Sequence, residues 1–216
     1  MKALVIGATG ATGRELVNLL IADSRFTEIV VFVRRPMAIS HEKLVSHVID
    51  FNKIEDYKTY MKGDVLFSCL GTTLKDAGSK EAQWKIDYDY QLQFAEIASQ
   101  HLVEKYVLVS SAYANPNSAV FYSRMKGTLD EAVKKLAFKQ IIIFQPPALI
   151  RENSKRTFEN VGVKVLNVIN KLGLAKQMKP LHTRDLAKAM ISSVCNFPLG
   201  IYTISPQEII KINQSK

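Results

Sequence analysis

Lys2-Ala-Leu-Val-Ile6 passes directly into Gly7-Ala-Thr-Gly10-Ala-Thr-Gly13, and beyond it Glu15, Leu16, Leu19 and Leu20 set apolar positions three and four residues apart. The first run reads as a short buried strand and the last as the start of an amphipathic helix, so the glycines must turn the chain from one into the other. Gly7 allows the sharp exit from the strand, Gly10 lets a pyrophosphate come close to the backbone, and Gly13 lets the helix lie against the sheet. The amides at the helix start, with the Thr9 and Thr12 hydroxyls beside them, are then placed to hold phosphate. A nucleotide-triphosphatase phosphate loop would need Lys-Ser/Thr after its last glycine; Arg14 and Glu15 stand there, and that reading is dropped.

The alternation continues through the first 150 residues. Further strands are predicted at 28–33, 47–50, 64–70, 106–112 and 140–145, with a short helix over 56–61 and longer ones over about 82–101 and 119–136. A polar loop covers 71–79, and Asn115-Pro116 marks a turn. Strands that alternate with helices pair in parallel through right-handed crossovers. This predicts an α/β fold, a Rossmann-type doubly wound parallel sheet with its ligand at the carboxyl ends of the strands. Beyond 150 the pattern loosens into a charged segment from Arg151 to Arg156, a helix over 159–171 stopped near Gly173, a helix over 185–195 and a late strand over 200–204. A chain of 216 residues, 47% hydrophobic, suits a single domain over 1–216 better than two, with 151–182 as a small C-terminal substrate-side extension.

No stretch has the apolar length to cross a bilayer, and Met1-Lys2 leads straight into a core strand with no room for a signal or transit peptide. A soluble, cytoplasmic protein is therefore expected. Cys69 and Cys195 are too few and too isolated for a disulfide framework or a zinc site, and no metal is expected. The net charge of +9 admits an anionic partner, but the lysines are spread over many helices without interleaved aromatics. Solubilising charge is the preferred reading, with no specific nucleic-acid partner.

At the end of the second strand, an acidic residue would accept hydrogen bonds from the adenosine ribose hydroxyls and repel a 2′-phosphate. Arg34 and Arg35 stand there instead. Guanidinium groups pair with phosphate at two points and stack on adenine, which argues for NADP(H) over NAD(H); the alternative is a solvated basic turn.

Tyr122-Ser-Arg-Met-Lys126 puts a phenol and an ammonium one helical turn apart, on a face that Leu129 and Val133 continue inward. A lysine on a core-facing stripe needs a counter-group, and a cofactor ribose with the neighbouring tyrosine would supply one. A free phenol ionises near pH ~10; the adjacent positive charge is expected to lower that value, so that Tyr122 can act as general acid or base. Ser110 and Ser111 end the preceding strand at the sheet's carboxyl edge, where a hydroxyl can hydrogen-bond a substrate carbonyl and its developing oxyanion. Taken alone, Tyr-x-x-x-Lys also fits an amphipathic helix with a snorkelling lysine.

The Gly-x-x-Gly-x-x-Gly turn followed by Ser, Tyr and Lys in this order resembles the short-chain dehydrogenase/reductase superfamily, whose catalytic set these three residues are. The resemblance is closer still to its atypical, NAD(P)H-binding branch that includes the Tat-interactive oxidoreductase. It is carried further by Val33-Arg-Arg-Pro36, Val48-Ile-Asp50, Cys69-Leu-Gly-Thr-Thr73, Ile86-Asp87, Asp89-Tyr90 and Lys126-Gly127, and runs through 146–149 to the helix near Thr183. It implies NADPH binding by Gly7, Thr9, Gly10, Ala11, Thr12, Gly13, Arg34, Arg35, Leu70, Gly71, Tyr122 and Lys126, with Asp50, Leu149 and Arg156 as further candidates. Two places depart from it. Asp87 stands where many members of the superfamily have a relay asparagine, and Gln145-Pro-Pro147 stands where relatives resemble Arg-Pro-Gly. Helix packing is the alternative for Asp87, and a rigid strand exit is preferred for the prolines. His182-Thr-Arg-Asp185 resembles the opening of a late helix, with Thr183 or Asp185 as its cap and His182 as a packing residue.

The preferred function is an NADPH-dependent oxidoreductase acting on a small carbonyl or alcohol substrate, as monomer or homodimer. The alternative is an NADPH-binding sensor that controls a protein partner, although a sensor has no need of the tyrosine. Substrate walls are expected from 72–80, 113–118 and 151–172.

Overall fold

The computed structural model describes residues 1–150 and 180–214. In chain order the strands are β1 (Lys2–Ile6), β2 (Glu28–Val33), β3 (Leu44–Val48), β4 (Val65–Ser68), β5 (Lys105–Val109), β6 (Gln140–Phe144), β7 (Leu149–Ile150), β8 (Leu181–His182) and β9 (Gly200–Ile204). Seven of them form one parallel sheet in the order β3-β2-β1-β4-β5-β6-β9, while β7 and β8 make a separate parallel pair. The helices are α1 (Ala11–Ala22), α2 (Leu74–Ala77), α3 (Lys80–Trp84), α4 (Tyr90–Gln100), α5 (Phe121–Val133), α6 (Thr183–Asn196) and α7 (Pro206–Gln214). A 3-10 segment, Phe51–Tyr60, and a π-helical turn, Lys85–Asp89, complete them.

Alternation along the strands sends side chains to two cores. Ala3, Val5, Val31, Val65, Phe67, Val107 and Ile142 face one side, with Leu16 and Leu20 of α1 and Leu186 and Met190 of α6. Leu4, Ile6, Val30, Leu66, Leu108 and Ile141 face the other, with Phe94 of α4 and Leu129 of α5. Each fully buried aliphatic or aromatic side chain contributes roughly 1.5–3 kcal/mol, so a slip of one residue in any strand would forfeit several of these at once. The sheet is therefore doubly wound, as expected. The strand order reverses between β1 and β4, which opens the crevice at their carboxyl ends.

The boundaries differ from expectation for local reasons. β3 starts at Leu44, not at 47; it is an edge strand with Val45 and Val48 exposed, so no continuous apolar run marks it. The 3-10 segment begins five residues before the expected helix because the Asp50 side chain accepts the Asn52 amide at 2.9 Å. α2 lies inside the expected loop, capped by Thr73 Oγ1, which accepts the Asp76 amide at 3.1 Å. The helix expected over 82–101 is interrupted by the π turn, which puts Asp87 fully inside. α7 was not anticipated. His182 is not a packing residue: it is exposed and itself occupies the N-cap of α6, with no side-chain cap, while Thr183 is buried behind it. The helix expected over 159–171, its stop near Gly173, and Arg151, Lys155 and Arg156 lie outside the described residues.

Candidate cofactor and active site

Gly7 leaves β1 with φ +78°, a conformation that L side chains rarely adopt, and a Cβ there would run into the Cys69 carbonyl and the Leu70 amide. The turn after β1 and the chain leaving β4 are thus in contact, which brings Gly7 to Gly13 together with Leu70 and Gly71. Gly10 donates its amide to the Gly7 carbonyl at 2.9 Å and occupies the N-cap of α1. Among the described residues no side chain caps this helix, and its first turn holds no acidic residue. A Cβ at Gly13 would overlap the Gly7 carbonyl, so the helix rests on the turn. Thr9 is exposed, Ala11 half-buried and Thr12 buried. The exposed amides and the helix dipole make this terminus electropositive, a kind of site that can hold phosphate.

Arg34 and Arg35 follow β2 directly. Both are exposed, and neither guanidinium makes an ion pair or hydrogen bond with the described residues. Asp50 is exposed and engaged in capping, its acidity strengthened by the Asn52 amide. Leu149 lies half-buried in the small β7–β8 pair.

β5 stops at Val109, which frees the two serines from the strand expected to carry them, although the Ser110 amide still donates to the Phe144 carbonyl at 2.7 Å. They part company. Ser110 is buried, with its hydroxyl beside the Asp130 carboxyl; Ser111 is half-buried, with its hydroxyl beside the Tyr122 phenol. α5 presents Tyr122, Lys126 and Asp130 at successive turns of one face. The helix is pressed against the turn after β5. A Cβ at Gly127 would collide with the backbone of Asn115 and Pro116, and the Asn115 amide donates to the Ser123 carbonyl at 3.0 Å.

Behind these groups lies a buried polar network. Asp87 Oδ1 accepts the Thr72 amide at 3.0 Å, Gln83 Nε2 donates to the Thr72 carbonyl at 3.1 Å, and Gln91 Nε2 donates to the Asp87 carbonyl at 2.7 Å. Ser68 Oγ donates to Gln91 Oε1 at 2.7 Å, and Gln145 Nε2 donates to Asp130 Oδ2 at 3.0 Å. Burial works against the charge of Lys126, but Asp87, Tyr122 and Asp130 outweigh it and hold the ammonium above its usual range. Burial pushes both carboxyls up, Asp87 being eased back by Lys126 and the Thr72 amide, and Asp130 by Ser110 and Gln145.

The phenol behaves differently from expectation. Lys126 does favour the phenolate, as does Ser111, but burial is the larger effect and Asp87 opposes the lysine, so the Tyr122 pKa lies above its usual value of 10.0, not below. Such a phenol is protonated at neutral pH and suited to giving a proton. Asp130 escaped the sequence reading, and Gln145 entered it only as part of the strand exit, not as a partner of this network. The signal was present, since Asp130 is four residues beyond Lys126 on the stripe already read as inward-facing, but that stripe was followed through Leu129 and Val133 alone. Cys69 is not part of this chemistry: burial pushes its thiol up to about 12.

A family model described as NAD(P)H-binding matches residues 7–142, from the glycine turn into β6. The mitochondrial protein FMP52 of Meyerozyma guilliermondii is 31% identical over 195 residues, covering 88% of this chain and 84% of its own. Protein HTATIP2 of Rattus norvegicus is 31% identical over 153 residues, 69% of this chain and 63% of its own. The solved structure of MoeE5 in complex with UDP-glucuronic acid and NAD superposes with a TM-score of 0.73 at 15% identity, covering 95% of this chain and 76% of that one, a likeness of fold. The expected cytoplasmic location is overturned, because the fungal FMP52 relatives are named mitochondrial. Among the described residues no helix is long and apolar enough to cross a membrane, but that property does not distinguish one aqueous compartment from another.

Proposed function

The chain belongs to the NAD(P)H-binding family, as an atypical short-chain dehydrogenase/reductase, and from this we propose that it is an NADPH-dependent oxidoreductase that reduces a small carbonyl compound. The observation that carries the proposal is the placement of the Tyr122 phenol beside the Ser111 hydroxyl and one helical turn from the buried Lys126. The uncapped start of α1 fits a pyrophosphate, with Gly7, Thr9, Gly10, Ala11, Thr12 and Gly13 around it and Leu70 and Gly71 beside them. The guanidinium groups of Arg34 and Arg35, which have no partner among the described residues, favour the 2′-phosphorylated coenzyme. Asp50, Leu149 and Arg156 remain weaker candidates for contact with it.

When bound, the reduced nicotinamide supplies a hydride for the carbonyl carbon. Ser111 donates a hydrogen bond to the carbonyl oxygen and orients it, while Tyr122 delivers its proton to that oxygen as negative charge develops there. Lys126 binds the ribose, and its ammonium favours the phenolate left by the transfer, which regains a proton from water before the next turnover.

A panel of small aldehydes and ketones, followed by NADPH consumption, tests the reading. Turnover is expected with at least one class and should fall by about 10²–10⁴ in Tyr122→Phe with little change in NADPH affinity. Tight NADPH binding with no turnover across the panel would refute it in favour of a cofactor sensor.

A further inference from the structure

Three aromatic rings meet where the helices after β4 and β5 approach each other. Trp84, the single tryptophan of the chain, closes α3; its ring centroid lies 4.8 Å from that of Tyr88 in the π-helical turn and 6.2 Å from that of Phe121, the first residue of α5. All three residues are half-buried. Lys80, which opens α3, places its Nζ over the Phe121 ring at 5.6 Å from the centroid. Its side chain is exposed and makes no hydrogen bond or ion pair with the described residues, and Glu81, next in sequence, feels its charge without pairing with it. Both ends of this group are tied to the crevice. Gln83, beside Trp84, donates Nε2 to the Thr72 carbonyl in the turn after β4 at 3.1 Å, and Phe121 directly precedes Tyr122. Lys80 ends the first expected substrate wall, 72–80, and Phe121 follows the second, 113–118.

We propose that Lys80, Trp84 and Phe121 form a substrate subsite for a carbonyl compound that carries a carboxylate on a flat apolar body, the rings receiving the body and the ammonium the carboxylate. The inference rests on the proposed reduction beside Tyr122 and names the class of carbonyl compound it takes. Rings that served packing alone would shut one another off from water, whereas these stay partly open beside the proton donor. The attraction of the ammonium to the face of Phe121 holds it in place without neutralising it, so its charge is available to an anion. One ammonium matches the single charge of a carboxylate better than the nearly double charge of a phosphate monoester. A flat body gains by stacking on Trp84 or Phe121, and once seated it keeps water from the Lys80–carboxylate pair, which is then stronger than a pair on open surface.

The lone indole is its own reporter. In the full chain saturated with NADPH, Trp84 emission is titrated with para-hydroxymethylbenzoate and with benzyl alcohol, its uncharged counterpart; with the coenzyme already reduced, neither alcohol reacts. In low-salt buffer the carboxylate should give a saturable change at a concentration about threefold to tenfold lower than the neutral alcohol. Lys80→Gln should abolish that preference and Lys80→Arg restore it, while Phe121→Leu, which removes the ring under the ammonium, should weaken both ligands. Lys80 is exposed, so its variants keep the fold. Equal midpoints in the parent, no saturable change with either ligand, a preference that survives Lys80→Gln, or midpoints untouched by Phe121→Leu overturns the subsite. Because the readout needs no turnover, a Lys80-dependent preference in a protein that reduces no carbonyl discards the proposed reaction and leaves the subsite standing; reduction of carbonyl compounds with no preference for the carboxylate does the reverse.

Discussion

Lys126 and Asp130 stand one turn apart on α5, each only 3% exposed, yet no hydrogen-bonded ion pair joins them. The carboxyl instead takes Gln145 Nε2 at 3.0 Å and leaves its other oxygen without a partner among the described residues. Its pKa is raised above the ordinary 3.8, burial being the main cause, so the folded protein holds that proton more tightly than the unfolded chain does. The stabilisation is complete below the unfolded value and disappears as pH rises through the folded one. Asp130→Asn should accordingly be more stable than the parent at neutral pH, by about 1 kcal/mol or more, with the gain shrinking as the buffer approaches about pH 4. Urea melts over that range check it.

The two serines should separate in kinetics. Ser111, beside the phenol, is expected to lower turnover by about 10²–10³ when replaced by alanine, the usual cost of losing a donor to a developing oxyanion. Ser110, buried beside Asp130, should cost far less in rate. Steady-state rates of Ser110→Ala and Ser111→Ala on a common carbonyl substrate give the comparison. Equal losses would count against the assignment of Ser111.

Replacing Arg34 and Arg35 together by alanine should lower the preference for NADPH over NADH by roughly tenfold to a hundredfold, since a charge-assisted hydrogen bond contributes about 1.5–3 kcal/mol. Both side chains are exposed and free of partners among the described residues, so the melting temperature should not move. Calorimetric titration with the two coenzymes would show an unchanged ratio if the pair is only a solvated turn.

Gly13→Ala sets two effects against each other. Alanine is better than glycine inside a helix by about 1 kcal/mol. The added methyl would, however, overlap the Gly7 carbonyl, a backbone group that cannot swing aside. Overpacking of this kind costs about 1–3 kcal/mol, so a net loss of stability is expected, with weaker NADPH binding because the turn must shift. Chemical denaturation measures the first and calorimetry the second.

The parts of the fold that were legible are those where a buried element carries its own pattern. β1 and β2 end where their apolar runs end, and the glycine turn states its geometry residue by residue. β3 was misplaced because an edge strand with exposed valines has no pattern to display. The π turn was invisible for a different reason: one extra residue in a helical turn leaves composition unchanged but rotates Asp87 from an ambiguous face to the interior. At the site, residue identities were readable and their mutual influence was not. Tyr122 and Lys126 announce themselves by spacing, whereas the balance between burial and a neighbouring ammonium depends on Asp87, which comes from another helix, and on Asp130, whose burial no spacing rule reports.

Gly127 has a mechanical consequence. With no side chain to hold them apart, the helix bearing Tyr122 and the 115–116 backbone are effectively bolted together, and the Asn115 amide adds a second fastening. That flank of the crevice cannot swing like a door while Tyr122 stays still; any breathing there drags the phenol along.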